Sequence, residues 1–350
     1  MAFITFQPHD HFDCPTWAGS DSTTTVNGMA FKPDCLWIKR YDGSGHPVFN
    51  NSTLGTAKSW IPSGDNAVNT TVMVASYTSD GFTLTGNIND TNDATQNYFS
   101  SCWKANGGTT STNTTGATNS TVQANTTSGF SIVKWTGTGG TTTLGHGLGV
   151  APKIIIAKNN AEADRGVTLN MSTNYVTDPA TDNIQFARVD SSLTDQADRW
   201  GDTAPTSSVF TVGATGMING SNDECFAYCF AEVKGFSKFG YYPGTGHLYG
   251  TKVYCGFRPK YVMIKKAQAT EDWVAKVSGL TGYGLGGERK RSIKYNVADQ
   301  SSNSFLQFES NGFRIATTDG KMNSENEIYW YIAFAEMPMV GSNGTIALGA

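Results

Sequence analysis

Charge is scarce in this chain. Asp, Glu, Lys and Arg make up 15% of the 350 residues and the net charge is −4, so no basic surface is available on which a phosphate backbone would sit. Nucleic acid is therefore not an expected partner. No apolar stretch approaches the roughly 18 residues that a membrane-crossing helix needs, and the opening MAFITFQPHDHF holds neither a basic leader nor a long apolar segment. Membrane insertion and export by the usual route are not expected. Long stretches with helical apolar spacing are missing, as are a G-x-S-x-G elbow, an H-E-x-x-H pair and a C-x-x-C pair. The expectation is a protein that is not an enzyme and has no cofactor. Cysteine is used sparingly: Cys14, Cys35, Cys102, Cys225, Cys229 and Cys255 lie mostly in apolar segments, where a free thiol serves as a small hydrophobe and no disulfide is needed.

What the chain does have is glycine (39 residues) with abundant Ser, Thr and Asn, a polar surface made without charge, which suits a turn-rich all-β protein. It also has an internal repeat. An aromatic-x-Gly, a gap, a proline, an apolar run and a lysine recur in that order from Trp17 to Arg40, from Trp135 to Asn159 and from Tyr242 to Lys266. Proline and lysine stand six residues apart in all three copies (Pro33 and Lys39, Pro152 and Lys158, Pro259 and Lys265). Each copy then closes on a Phe-containing segment (Phe82, Phe210, Phe313) and a terminal aromatic strand: YFSSCWKA, CFAYCFAE or YWYIAFAE. A recurring order of this kind, with a constant six-residue step from proline to lysine, marks one structural unit in tandem.

The intervals divide the chain into an N-terminal docking arm at 1–10, β-modules at 11–105, 121–234 and 235–338, and a tail at 339–350. Between the first two modules the run NGGTTSTNTTGATNS, residues 106–120, has too few apolar side chains to offset the entropy of ordering it on its own, and is expected to be a flexible joint. The second and third modules follow without a linker and should pack as a unit.

The strands after the prolines, CLWIK, KIIIAK and YVMIK, are continuous apolar runs, as for strands covered on both faces. The terminal strands alternate, with Phe226, Tyr228 and Phe230 on one side and Cys225, Ala227, Cys229 and Ala231 on the other. A large face against a small one implies two closely packed sheets with the aromatics between them. The expected fold is all-β: three tandem antiparallel β-sandwich modules of jelly-roll or lectin-like character.

Few clusters invite chemistry. His9 and His11 would share one face of an extended strand and are weak metal ligands, with an exposed polar arm as the plainer role. Asn89, Asp90, Asn92 and Asp93 are rich in oxygen but lack the glycine and distal glutamate of a calcium loop, so a hairpin tip is expected. GHGLG at 145–149 lacks the Lys-Ser/Thr of a phosphate loop. The basic run of Arg289, Lys290, Arg291 and Lys294 occurs in the third module alone and reads as a solvated loop. Trp200 between Asp198 and Asp202 is a candidate aromatic platform for glycan, with core packing as the plainer role.

The strings FQPHDHF, GHGLGVAPKIIIAKN, DTAPTSSVFTVG, AYCFAEVKGFSKFG and GFRPKYVMIKK with YIAFAE resemble a repeat-module family of bacteriophage tail-fibre-like or tail-associated virion proteins, common in phages of marine and cyanobacterial hosts. The resemblance implies a β-rich structural or host-recognition role, assembly in the host cytoplasm, other virion proteins and a host surface glycan as partners, a homo-oligomer, and no catalytic residues. A capsid-decorating head fibre is the nearest alternative, and a glycan depolymerase the alternative of a different class. The last strand of the first module, SSCWKA, departs from the YCFAE and IAFAE of the others.

Overall fold

The computed structural model describes the chain apart from residues 1–5, 43–44, 63–66, 164–166, 171–181, 186–193, 268, 270, 272, 280–290, 293–304, 337–338, 341–345 and 348–350. It is nearly all β, in antiparallel sheets. One arrangement occurs in each third of the chain. A strand carrying or approaching the aromatic-x-Gly (Thr16–Ala18, Phe130–Thr136, Ser237–Pro243) pairs with the terminal strand (Asn97–Trp103, Glu224–Phe230, Ile328–Ala335). On its other side the terminal strand pairs with the proline-led strand (Cys35–Arg40, Ile154–Asn159, Pro259–Lys266). The register repeats as well, since Lys39, Lys158 and Lys265 stand opposite Phe99, Phe226 and Trp330.

A smaller sheet covers one face of each large one. It comprises Thr24–Val26, Gly81–Leu84 and Val74–Thr78 in the first module, and Thr142–Gly145 with Val209–Val212 in the second. In the third it comprises Lys252–Tyr254, Gly312–Ile315 and Leu306–Glu309. Between the two sheets lie three separate cores, containing Leu36, Ile38 and Phe82, then Ile155, Ala227 and Phe210, then Val262, Ala333 and Phe313.

The proline-led strands are covered on both faces, as their continuous apolar runs require. What covers the second face differs from the expectation. Phe99, Trp103, Phe226, Tyr228, Phe230, Trp330 and Phe334 of the terminal strands point away from the sandwiches into a fourth core shared by all three modules, while Tyr98, Tyr329 and Tyr331 stay in their own sandwiches. Small side chains such as Ala227 and Cys229 face the module's own small sheet. At the centre of the shared core Trp103, Phe230 and Phe334, which hold matching positions in the three copies, touch pairwise with ring centres 5.9, 5.7 and 6.0 Å apart. Around this triangle Trp37 meets Tyr261 at 6.4 Å, Phe49 meets Tyr228 at 5.7 Å and Phe12 meets Phe334 at 4.8 Å. Each seam carries a lysine–carboxylate pair: Lys58 with Glu224, Lys238 with Glu232 at 2.9 Å, and Lys260 with Asp13 at 3.4 Å. The three modules thus close around an internal pseudo-threefold axis.

Two expected segments are built differently. Residues 106–120 are not a free joint: Ser111–Asn113 adds an edge strand to Ser120–Asn125, and the Gly108 amide donates to Gln123 Oε1 at 2.9 Å. Gln123 in turn donates to Ser52 and Thr53 of the first module. A polar segment that cannot order alone is ordered here by an existing sheet edge, which supplies backbone partners. The N-terminal segment is not a projecting arm over its described part. Pro8 is buried, Phe6 stacks on His11 at 4.9 Å and packs against Phe236, and Phe12 enters the shared core.

The repeat glycine has a steric cause. A Cβ on Gly19, Gly137 or Gly244 would lie 2.0, 2.0 or 2.1 Å from the carbonyl oxygen of Asp93, Gly220 or Ser324. That close approach serves a buried asparagine in each module. Asn219 Oδ1 accepts from the Trp135 indole and the Thr138 amide, while its Nδ2 donates to Gly140 O and Gly213 O. Asn92 binds the Ser20 amide, Ser22 O and Thr85 O, and Asn323 binds the Thr245 amide, His247 O and Thr317 O, in the same pattern. The motif lysines hold the next loops, with Nζ of Lys39, Lys158 and Lys265 donating to the carbonyls of Gly45, Glu162 and Ala269.

Candidate functional site

The seam between the first and third modules opens into a cleft of about 380 Å³, lined by His9, Phe12, Asp13, Met29, Lys260 and Glu336 among others. Cleft volume and an apolar floor with a few polar groups are within the range of small-ligand sites. Its carboxylates are already engaged. Asp13 Oδ1 accepts from the Cys14 amide at 2.7 Å and faces Lys260, and Glu336 takes Arg258 Nε at 2.8 Å and the Ser278 hydroxyl at 2.7 Å. With its acids tied to neighbouring cations and hydroxyls, the polar groups of the cleft hold the seam.

The residues singled out from sequence are not brought together. Trp200 is fully buried (0% exposed) in the second module's own core, on the four-residue helix Ala197–Trp200, while Asp198 and Asp202 are exposed. It cannot be a glycan platform. The ring is the largest apolar body in that segment, and burying it outweighs exposing it beside two carboxylates. His9 and His11 do not share a strand face, because Pro8–Asp10 form a 3₁₀ turn and the strand starts at Phe12. His9 lies 3.4 Å from Asp10, whereas His11 Nδ1 meets Asn125 Nδ2 at 3.0 Å; burial, with Lys104 nearby, lowers the His11 pKa. Among the described residues no group of three His, Cys, Asp or Glu is placed to hold a metal ion. Asn92, expected at a hairpin tip, is instead one of the buried staples. In the basic run only the strand Arg291–Ser292 is described; Arg289, Lys290 and Lys294 lie outside the described residues.

All six cysteines are free and buried, as expected of small hydrophobes. Burial pushes the Cys225 thiol up to about 12. His146, within GHGLG, is fully enclosed. Its Nδ1 accepts the Leu148 amide at 3.2 Å, which leaves Nε2 to donate to Thr206 O at 3.1 Å, and burial lowers its pKa.

Sequence reading missed Lys276. It sits buried in the strand Val274–Val277 with Nζ donating to Leu306 O and 4.8 Å from the centre of the Phe308 ring. Burial, assisted by the charge of Arg258, brings its pKa down to about 7. The folded value lies below the unfolded one, near 10.4. The unfolded chain therefore binds the extra proton between about pH 7 and about pH 10, and this residue makes folding stability rise with pH across that window. Lys276→Met should flatten the rise, read as the melting temperature at a series of pH values from 7 to 10.

Geometry defines a class: a body of antiparallel sheets in which three sandwiches close on a common aromatic core, with loops and small sheets outside. The family model described as Domain of unknown function (DUF7483) matches residues 7–338, and the chain belongs to that family. One family unit thus spans all three repeats. No curated protein and no solved structure matches the chain. Among the described residues no helix is long and apolar enough to cross a membrane.

Proposed function

We propose that this chain is a structural component of a bacteriophage particle, of the tail-fibre or spike type, that presents its outer sheets and loops to the host surface. The observation that carries the proposal is the internal pseudo-threefold closure on Trp103, Phe230 and Phe334. Such a body commits its largest aromatic faces to packing its own modules together and leaves three small sheets and their loops for contact outside. The tail-fibre-like sequence strings named above support the same role. The surface is polar with little charge, which suits a particle component that has to stay dispersed both in the infected cell and outside it.

Mapping the chain in purified particles tests the role. Its expected place is the tail. Absence from the particle would remove the proposal, and density on the capsid lattice would replace the tail assignment with a head fibre.

A further inference from the structure

The small sheets are equivalent in register, so their outward rows can be compared position by position. In the first module the row reads Thr25, Thr83 and Ser76, with Thr25 Oγ1 and Thr83 Oγ1 3.2 Å apart. In the second the pair is Thr143, whose Oγ1 accepts from the Ala117 amide, and Thr211, which is buried. In the third the same row reads Lys252, Arg314 and Gln307. The next row holds Thr78 opposite Gly81 in the first module; in the third it holds Tyr254 and Glu309 around Gly312. Gly312 lets the strands approach closely there, since a Cβ would lie 1.9 Å from Val253 O, and it leaves Tyr254 and Glu309 as the side chains of that row.

Apolar side chains are also left uncovered in the third module. Six large hydrophobic residues are exposed among the described residues, and three of them, Leu248 (57%), Tyr249 (77%) and Tyr254 (64%), fall within seven positions of one another. Lys252 Nζ lies 5.2 Å from the Tyr254 ring centre. Glu309 holds the cations in place, taking Lys252 Nζ at 2.5 Å and Arg314 Nε at 3.0 Å. The hydrogen bond from Lys252, ahead of that from Arg314, keeps its carboxyl below the usual carboxylate range. Two cations against one carboxylate leave one positive charge in excess, with two ammonium N–H and four guanidinium N–H groups not committed to Glu309. A flat aromatic face beside prearranged cationic donors matches a ring with an apolar face and a carboxylate at its edge.

We propose that the outer face of the third module's small sheet is a binding surface for an acidic polysaccharide of carboxylate-bearing pyranoses. Tyr254 takes the apolar face of one sugar ring, and Arg314 and Lys252 take its carboxylate. The Thr-lined faces of the other two modules lack both the ring and the charge. This names a ligand class for the attachment role proposed above and rests on it only for its biological setting, since binding by the purified chain does not depend on where the chain sits in a particle.

The test is calorimetric titration of the full chain at low salt with oligogalacturonate and with alginate oligomers, against methyl-esterified oligogalacturonate as the uncharged counterpart. The expected result is binding of at least one acid oligomer, at least tenfold weaker for the ester and weakened by added salt. Tyr254→Ala and Arg314→Gln should each lose at least tenfold, while Thr143→Ala, on the matching row of the second module, binds as the parent chain does. Unchanged melting temperatures identify the losses as local. No binding of either acid oligomer by the parent chain, or parent-like binding by Tyr254→Ala and Arg314→Gln, overturns the inference; an acidic protein surface of the particle would then be the better occupant.

Discussion

Phe334→Ala is expected to lower the unfolding free energy by about 3–5 kcal/mol, the range for deleting a buried aromatic side chain, and to do so for the whole chain at once. Phe334 sits in the last module, yet its ring meets Trp103 and Phe12 of the first and Phe230 of the second. Each such ring pair contributes about 0.5–1.5 kcal/mol beyond the area it buries. Truncating one corner also removes packing partners from the other two, so Phe230→Ala and Phe334→Ala together should cost less than the sum of their separate effects. Urea denaturation of the two single variants and the double variant measures this coupling. Full additivity would mean that the rings stand near one another without sharing a core.

Asn219→Ala should be comparably damaging although it removes only a small polar side chain. Alanine leaves the Trp135 indole N–H, the Thr138 amide and the carbonyls of Gly140 and Gly213 without the partner they have now. Each buried group left unsatisfied costs about 1–3 kcal/mol, so a total loss of roughly 3 kcal/mol or more is expected. Ser221→Ala, two residues on and exposed, is the control and should be close to neutral. A loss below about 1 kcal/mol for Asn219→Ala would mean that water replaces the amide, and that the staple is not what holds the loop ends together.

The strand pattern was legible because spacing carries it. The recurring order of glycine, proline and lysine, with its constant step from proline to lysine, and alternation along the terminal strands give the strands and their two faces without reference to any neighbour. Alternation does not say what covers each face. Phe226, Tyr228 and Phe230 were readable as one buried row, but only the closed body shows that the row faces other modules and not its own sandwich. The asparagine staples left a signal that went unread: Asn92, Asn219 and Asn323 each stand eleven residues before the junction aromatic. Residues 106–120 and the N-terminal segment were misjudged for a common reason. Local composition measures what a segment can do alone, whereas both are ordered by surfaces made elsewhere in the chain. Trp200 was weighed by its acidic neighbours in sequence, and those neighbours are exposed while the ring itself is enclosed. The contact face of the third module was hidden because Lys252, Tyr254, Glu309 and Arg314 come together only through strand register across a gap of more than fifty residues.

Urea unfolding of the full chain, followed together by tryptophan fluorescence and far-ultraviolet circular dichroism, tests most directly whether three modules form one body. Closure around Trp103, Phe230 and Phe334 predicts a single coincident transition whose denaturant dependence fits exposure of the whole chain, and which Phe334→Ala moves as a unit. Separate transitions, with Phe334→Ala shifting one and leaving the others in place, would contradict it.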